Sequence, residues 1–238
     1  MKITISGYGK MGREIEKTAL ERKHIIAAII DTKEDWSKFQ TKIASSDVVI
    51  DFSQPDVVVQ NILRCFEVGV PIVTGTTGWD NQKEEIRKLC IGQGKAIFTA
   101  SNFSIGVNIF FEVNKKLAKL MGTQDNYAVS MKEIHHVHKL DKPSGTAIHL
   151  ADQIISNSSD LKDWTIQKEE VEGKLYIQSE RAGEIPGTHV VKYTSEVDRI
   201  SIMHEAKSRK GFALGAVLAA EWLGNKKGFF EMKDMLGL

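Results

Sequence analysis

Residues 133–147 read EIHHVHKLDKPSGTA, which places His135, His136, His138 and Lys139 within five positions and follows them with Ser144, Gly145 and Thr146. Metal ligation is the first chemistry to weigh. On a strand, His136 and His138 share a face and His135 points to the other; on a helix, His135 and His138 could pair. Neither arrangement supplies three converging ligands, no cysteine joins them, and Glu133 is the only close carboxylate. Zinc needs three or four ligands, so the expectation is no metal. Proton transfer comes next, since His exchanges protons near neutrality. Lys139 lies four residues after His135, so both can line one cleft as a strand turns into a loop. Pro143 disfavours helix before it. Ser144, Gly145 and Thr146 then open a helix whose free N–H groups and dipole, with Lys139, make an anion pocket suited to a carboxylate. On this stretch alone, an exposed polar loop with Ser144 as helix N-cap stays open.

A second candidate sits at the N-terminus. Lys2–Ser6 runs into Gly7-Tyr8-Gly9-Lys10-Met11-Gly12 and then a helix. GxGxxG between a strand and a helix is a dinucleotide signal: Gly7 for the tight turn, Gly9 for approach to a pyrophosphate, Gly12 for helix–strand packing. Asp31 ends the second strand, 19 residues after Gly12. A carboxylate there can accept from ribose hydroxyls and repel a 2′-phosphate, which Lys33 could offset. The expected cofactors are NADH and/or NADPH, with a lean to NADH. Gly75-Thr76-Thr77 and Ser101-Asn102-Phe103 follow later strands, where a doubly wound sheet holds its ligands. A plain turn at the glycine loop, and a helix cap with spare glycines at Gly75, remain the bland alternatives.

The elements that must position these residues change character along the chain. Short apolar runs at Lys2–Ser6, His24–Ile30, Val48–Phe52, Ile72–Thr74 and Ala96–Thr99 read as strands. Helical patterns lie between them at Lys10–Arg22, Pro55–Val68 and Asn81–Cys90. That alternation predicts a Rossmann-type doubly wound parallel sheet, an α/β fold. After Asn102 the pattern becomes a long helix, Ser104–Met121, then strands at Tyr127–His135, Lys174–Glu180, His189–Tyr193 and Ile200–His204 with one helix, Gly145–Ser156. This predicts a second α+β domain containing an open mixed sheet, followed by helices Phe212–Leu223 and Phe229–Leu236. The 238 residues suffice for two modest cores, and a net charge of +1 gives no field for nucleic acid. Cys65 and Cys90 read as buried reduced thiols, which fits a cytoplasmic setting. MKITISGYG has no signal-peptide apolar region, and no run approaches the length of a membrane span.

These segments together resemble the 4-hydroxy-tetrahydrodipicolinate reductase (dihydrodipicolinate reductase) family of the diaminopimelate/lysine pathway. EIHHVHKLDKPSGTA is similar to the family signature E-x-H-H-x-x-K-x-D-x-P-S-G-T-A, and VIDFSQP, GTTGW, SNFSIGVN, RAGEIPGTH and DRISIMHEAKSRKGFALGA follow in family order. The resemblance implies reduction of a hydroxylated cyclic imine with loss of water, using hydride from NAD(P)H. It implies that His135 is the acid and Lys139 its partner. It also implies that His136, Ser144, Gly145, Thr146 and Arg209 hold a small dicarboxylate substrate. Family members return to the first domain at the C-terminus, which gives 1–102 plus 209–238 as dinucleotide-binding domain and 103–208 as substrate-binding and oligomerisation domain. They are commonly homotetramers built through the second-domain sheet. The alternative is another two-domain NAD(P)-dependent dehydrogenase acting on a small amino or hydroxy acid. The short stretch between Asp31 and Ser46, and Thr32-Lys33 in place of an Arg-containing form, depart from the family pattern at the adenosine end.

Overall fold

The structure, a computed structural model, describes residues 1–168 and 171–238. The chain opens with β1 (Lys2–Ser6), α1 (Lys10–Glu21), β2 (Ile25–Ile30), α2 (Lys33–Lys38), α3 (Gln40–Ala44), β3 (Val48–Asp51), α4 (Val58–Val68), β4 (Ile72–Thr74), α5 (Asp80–Gly92) and β5 (Ala96–Thr99). It continues with α6 (Ile105–Met121), β6 (Ala128–His135), α7 (Gly145–Ile155), β7 (Asp163–Thr165), β8 (Lys174–Arg181), β9 (Gly187–Thr194) and β10 (Arg199–Ala206). It closes with α8 (Lys210–Leu223), β11 (Gly228–Phe230) and α9 (Met232–Leu236). Two units result: Met1–Ile105 with Arg209–Leu238, and Gly106–Ser208.

The first unit holds a parallel sheet in the order β11-β5-β4-β3-β1-β2. Its strands are apolar on both faces because both faces are covered. Val49, Ile72 and Ile97 pack with Ile62 and Cys65 of α4 and Ile86 and Cys90 of α5. Their neighbours Ile50, Val73 and Phe98 pack on the opposite face with Ile15 of α1 and Ala216, Val217 and Leu223 of α8. Each such fully buried aliphatic side chain contributes about 2 kcal/mol relative to exposure. Gly69 ends α4 in the left-handed conformation, φ 76°, as a C-terminal glycine should. Cys65 and Cys90 are free, buried thiols.

Two local expectations need correction. The helix expected from Pro55 begins at Val58, because Pro55–Val57 form a turn in which the Gln54 carbonyl accepts from both Val57 and Val58 N–H. The helix expected over Phe229–Leu236 is instead β11 followed by α9. Phe229 turns into one core and Phe230 toward the other, an alternation that only a strand provides, and Glu231 with Asp234 form a capping box that starts the helix afresh. The stretch after Asp31 contains two short helices, α2 and α3, which are too brief to show periodicity.

The second unit holds a mixed sheet in the order β10-β9-β6-β8-β7, antiparallel across β10, β9 and β6 and parallel across β6, β8 and β7. Met131, Ile177 and Val191 line one face against Phe110 of α6 and Leu150 and Ile154 of α7. Along β6 the face that carries Met131 also carries Glu133 and His135. The core therefore turns polar toward the C-terminal end of that strand.

Candidate active site

In the first unit, three strand ends converge on loops that face a cavity of about 680 Å³ lined by Gly7, Tyr8, Gly9, Asp31, Lys33 and Gln54 among others. Gly7 has φ +84°, and a Cβ there would lie 2.2 Å from the Phe52 carbonyl oxygen, so only glycine makes this turn. Gly9 is the N-cap of α1 without a side-chain cap, and a Cβ on it would meet nothing within 4 Å. That open space, with the first-turn amides of Lys10, Met11 and Gly12 behind it, fits a pyrophosphate approaching a helix N-terminus. Asp31 accepts a hydrogen bond from Tyr8 N–H at 2.9 Å, so the acid at the end of β2 is tied to the glycine loop.

Beneath these loops lies Asp51, fully buried. Its carboxylate accepts from Ser6 Oγ (2.8 Å), Ser53 Oγ (3.2 Å), Asn61 Nδ2 (3.1 Å), Thr74 Oγ1 (3.1 Å) and Thr76 Oγ1 (2.8 Å). Five neutral donors take the place of a counter-ion and bind the ends of β1, β3 and β4 together. Thr76 also accepts from Ser53 N–H, and its carbonyl accepts from Trp79 Nε1–H. Its side chain therefore serves the fold. Phe103 is likewise buried between Phe52 and Phe98. What these two residues can offer a ligand is backbone. Gly75 sits edge-on to the Phe52 ring, which a Cβ would meet at 2.2 Å, while Thr77 and Ser101 are exposed. Asn102 Oδ1 accepts from Ser104 N–H at 2.9 Å.

In the second unit the strand register builds the site. Glu133 on β6 stands opposite Ser179 on β8 and His189 on β9, and His189 stands opposite His204 on β10. His135, one step along, stands opposite Arg181. Glu133 is fully buried and is the hub. Ser144 N–H donates to both its oxygens (3.1 and 3.2 Å), Ser179 Oγ donates to Oε1, and Arg181 Nη1 lies 3.3 Å from Oε1. His135 Nδ1 lies 3.2 Å from Oε2, and His189 Nε2 lies 3.7 Å from it. Burial alone would raise the Glu133 pKa. Contacts from His135, His189, Ser144 and Ser179 outweigh it and hold the carboxyl well below the usual range. Burial pushes His189 down, so it stays neutral at pH 7 despite Glu133. Burial lowers His204 too.

Glu133, His135 and His189 place three ligating atoms within 4.8 Å of one another. This corrects the expectation that no three ligands converge: the third comes from β9, beyond the reach of a local reading. Both Glu133 oxygens are already engaged, with the Arg181 guanidinium beside them. A dication would have to displace those donors and tolerate that charge, so the cluster is built as a hydrogen-bond hub.

The remaining candidates fall around this hub. The His135 ring is 6% exposed and 5.0 Å from the His189 ring. A Cβ at Gly187 would come within 3.0 Å of His135 Nε2, so glycine leaves the ring its room. Lys139 Nζ pairs with Asp141 at 2.7 Å, and its carbonyl accepts from Arg181 Nε at 3.3 Å. Ser144 caps α7, its hydroxyl accepting from Ala147 N–H at 3.2 Å and lying 3.2 Å from His189 Nε2. Its polar groups are thus spent within the unit. Gly145 and Thr146, at the first turn of α7, are the better exposed. The His136 and His138 rings lie 6.0 Å apart, and exposed His138 meets Glu184 at 3.1 Å. Arg209 is the exposed N-cap of α8 and belongs to the first unit. Sequence reasoning missed Ser179, Arg181, His189 and Asp51, and weighed Glu133 only as a metal ligand. The i, i+2 spacing of Glu133 and His135 was the available signal.

Comparison with known proteins agrees along the whole chain. The family model described as "Dihydrodipicolinate reductase, N-terminus" matches residues 1–103, and "Dihydrodipicolinate reductase, C-terminus" matches residues 106–236. The 4-hydroxy-tetrahydrodipicolinate reductase of Christiangramia forsetii is 47% identical over 236 residues, covering 99% of this chain and 98% of its own. That of Chromobacterium violaceum is 37% identical over 210 residues, covering 85% and 78%. A dipicolinate-bound dihydrodipicolinate reductase from Paenisporosarcina sp. TG-14 shares the fold, with TM-score 0.77 at 24% identity and 99% of each chain covered. With both halves matched and a relative this similar end to end, the chain belongs to the dihydrodipicolinate reductase family.

Proposed function

We propose that the protein reduces 4-hydroxy-tetrahydrodipicolinate to tetrahydrodipicolinate in diaminopimelate/lysine biosynthesis, as an NAD(P)H-dependent oxidoreductase. The observation that carries this reading is 47% identity to a reductase of that name over 99% of the chain. The first unit binds the dinucleotide through the Gly7–Gly12 loop, Asp31, Gly75, Thr76, Thr77 and Ser101–Phe103. The nicotinamide, when bound, supplies the hydride. The second unit binds the small dicarboxylate: Gly145 and Thr146 offer helix N–H groups, His136 offers a side-chain donor, and Lys139 adds charge. Ser144 contributes by capping the helix that presents them. His135 is the acid. With Nδ1 toward the Glu133 carboxylate, Nε2 beside Gly187 is the nitrogen that gives the proton. Water leaves the ring, and hydride plus this proton complete a two-electron reduction.

The protein works as a cytoplasmic homotetramer in this reading. Support for assembly through the second-unit sheet comes from Met203, 62% exposed, opposite Val190 in the ladder and on the face away from α6 and α7. The test follows absorbance at 340 nm with substrate formed in situ from pyruvate and aspartate semialdehyde. Wild type turns over, and His135→Gln lowers kcat by about 10²–10⁴ with nucleotide binding kept. No turnover with either cofactor refutes the reaction; an unchanged kcat in the variant refutes the role of His135.

A further inference from the structure

Asp31 stands where a Rossmann-type fold holds the adenosine ribose, and in such folds an arginine close by admits a 2′-phosphate. The loop after β2 reads Asp31-Thr32-Lys33 and has no arginine. The structure brings one from another element. Arg64, in α4, lines the same cavity as Asp31 and Lys33, together with Trp36, Asp56 and Gln60. Its guanidinium carbon lies 5.3 Å from the centroid of the Trp36 ring, and Trp36 itself is buried at 8% exposure. A planar cation laid on a fixed aromatic face is pre-organised, and the guanidinium keeps its N–H edge for a phosphate. Neither Arg64 nor Lys33 is in a salt bridge among the described residues. Two cations thus balance the two carboxylates, Asp31 and Asp56, that line the cavity. Asp31 alone would select against a phosphorylated ribose, whereas this pair offsets it.

We propose that Arg64, assisted by Lys33, is the residue of this chain that would receive a phosphate on the adenosine 2′-oxygen. This rests on the cofactor reading above. Titration calorimetry on the full chain, with adenosine 2′,5′-bisphosphate and adenosine 5′-monophosphate as probes, isolates the 2′-phosphate. Arg64→Gln weakens the bisphosphate about tenfold, which is about 1.4 kcal/mol, and the monophosphate less than about twofold. Lys33→Gln, an exposed position that leaves the core alone, shifts the bisphosphate in the same direction by a smaller factor. Equal loss for both probes makes Arg64 a wall for the adenine and overturns the proposal, as does unchanged bisphosphate affinity in both variants. NADH fluorescence titration separates the two failures. NADH binding that persists while the probes refuse to discriminate sinks this proposal alone. A wild type that binds no NADH sinks the cofactor reading and this proposal together.

Discussion

Replacing Glu133 by Gln keeps the shape of the side chain and removes its charge. One oxygen becomes an NH₂ group and turns a donor toward Ser144 N–H, Ser179 Oγ or Arg181, all of which donate to the native carboxylate. Arg181, its side chain 14% exposed, loses its buried counter-charge. Breaking a buried pair by removing one partner costs about 3–5 kcal/mol. Arg181 still donates to the Glu180 carbonyl at 2.7 Å and the Lys139 carbonyl at 3.3 Å. The expected loss at pH 7 is therefore near the low end, about 3 kcal/mol. Its pH dependence has a fixed sign. The native carboxyl titrates well below its unfolded value of about 4.3, so its contribution is whole above that pH and falls away below it. The gap between wild type and Glu133→Gln should then narrow by about 1.4 kcal/mol per pH unit below about pH 4. Urea denaturation followed by circular dichroism measures the gap, and amide exchange in β6 assigns the transition to the second unit. A gap that stays constant from pH 7 to pH 3.5, or a variant as stable as wild type at pH 7, would refute Glu133 as an electrostatic hub.

Gly7→Ala forces a Cβ to 2.2 Å from the Phe52 carbonyl at a positive φ. It should cost about 2 kcal/mol or more, lower Tm by several degrees and weaken NADH binding, and an unchanged Tm would mean that the turn relaxes freely. Ser144→Ala removes the α7 cap and should lower stability by about 1 kcal/mol in a denaturant titration. A loss of substrate affinity without a loss of stability would instead place its hydroxyl on the substrate. His138→Ala should leave kcat and Tm unchanged, since its ion pair with Glu184 is exposed on both sides, and a rate loss above about tenfold would show a role the geometry does not give it.

Features set by near neighbours were legible in the sequence. The strand Lys2–Ser6 and the turn at Gly7 each depend on a few adjacent residues, and both stand as expected, while the Ser144 N-cap was one of two readings left open. The strand alternation expected across His135, His136 and His138 stops short, because β6 ends at His135 and residues 136–138 turn away from it. The hub was not. Glu133 meets Ser179 and Arg181 across a parallel ladder and His189 across an antiparallel one, and each partner lies more than 40 residues away. No local pattern encodes that register. The Asp51 network is similar, with donors drawn from three strand ends. At the C-terminus two adjacent phenylalanines sufficed to mislead, because β11 is only three residues long and is set by its pairing with β5.

The return of the chain to the first unit bears on the order in which the protein can be made. β11 pairs with β5 across more than a hundred residues, and α8 and α9 supply Ala216, Val217, Leu223 and Met232 to one face of the parallel sheet. A ribosome that has released residues 1–105 has therefore produced strands with one apolar face covered only by α1. Residues 106–208 are contiguous and can close their own core before residues 209–238 emerge. The nascent chain must keep Ile3, Ile5, Val73 and Phe98 from other partners until α8 arrives. Residues 209–238, made after both, are thus the stretch on which the dinucleotide unit depends to be finished.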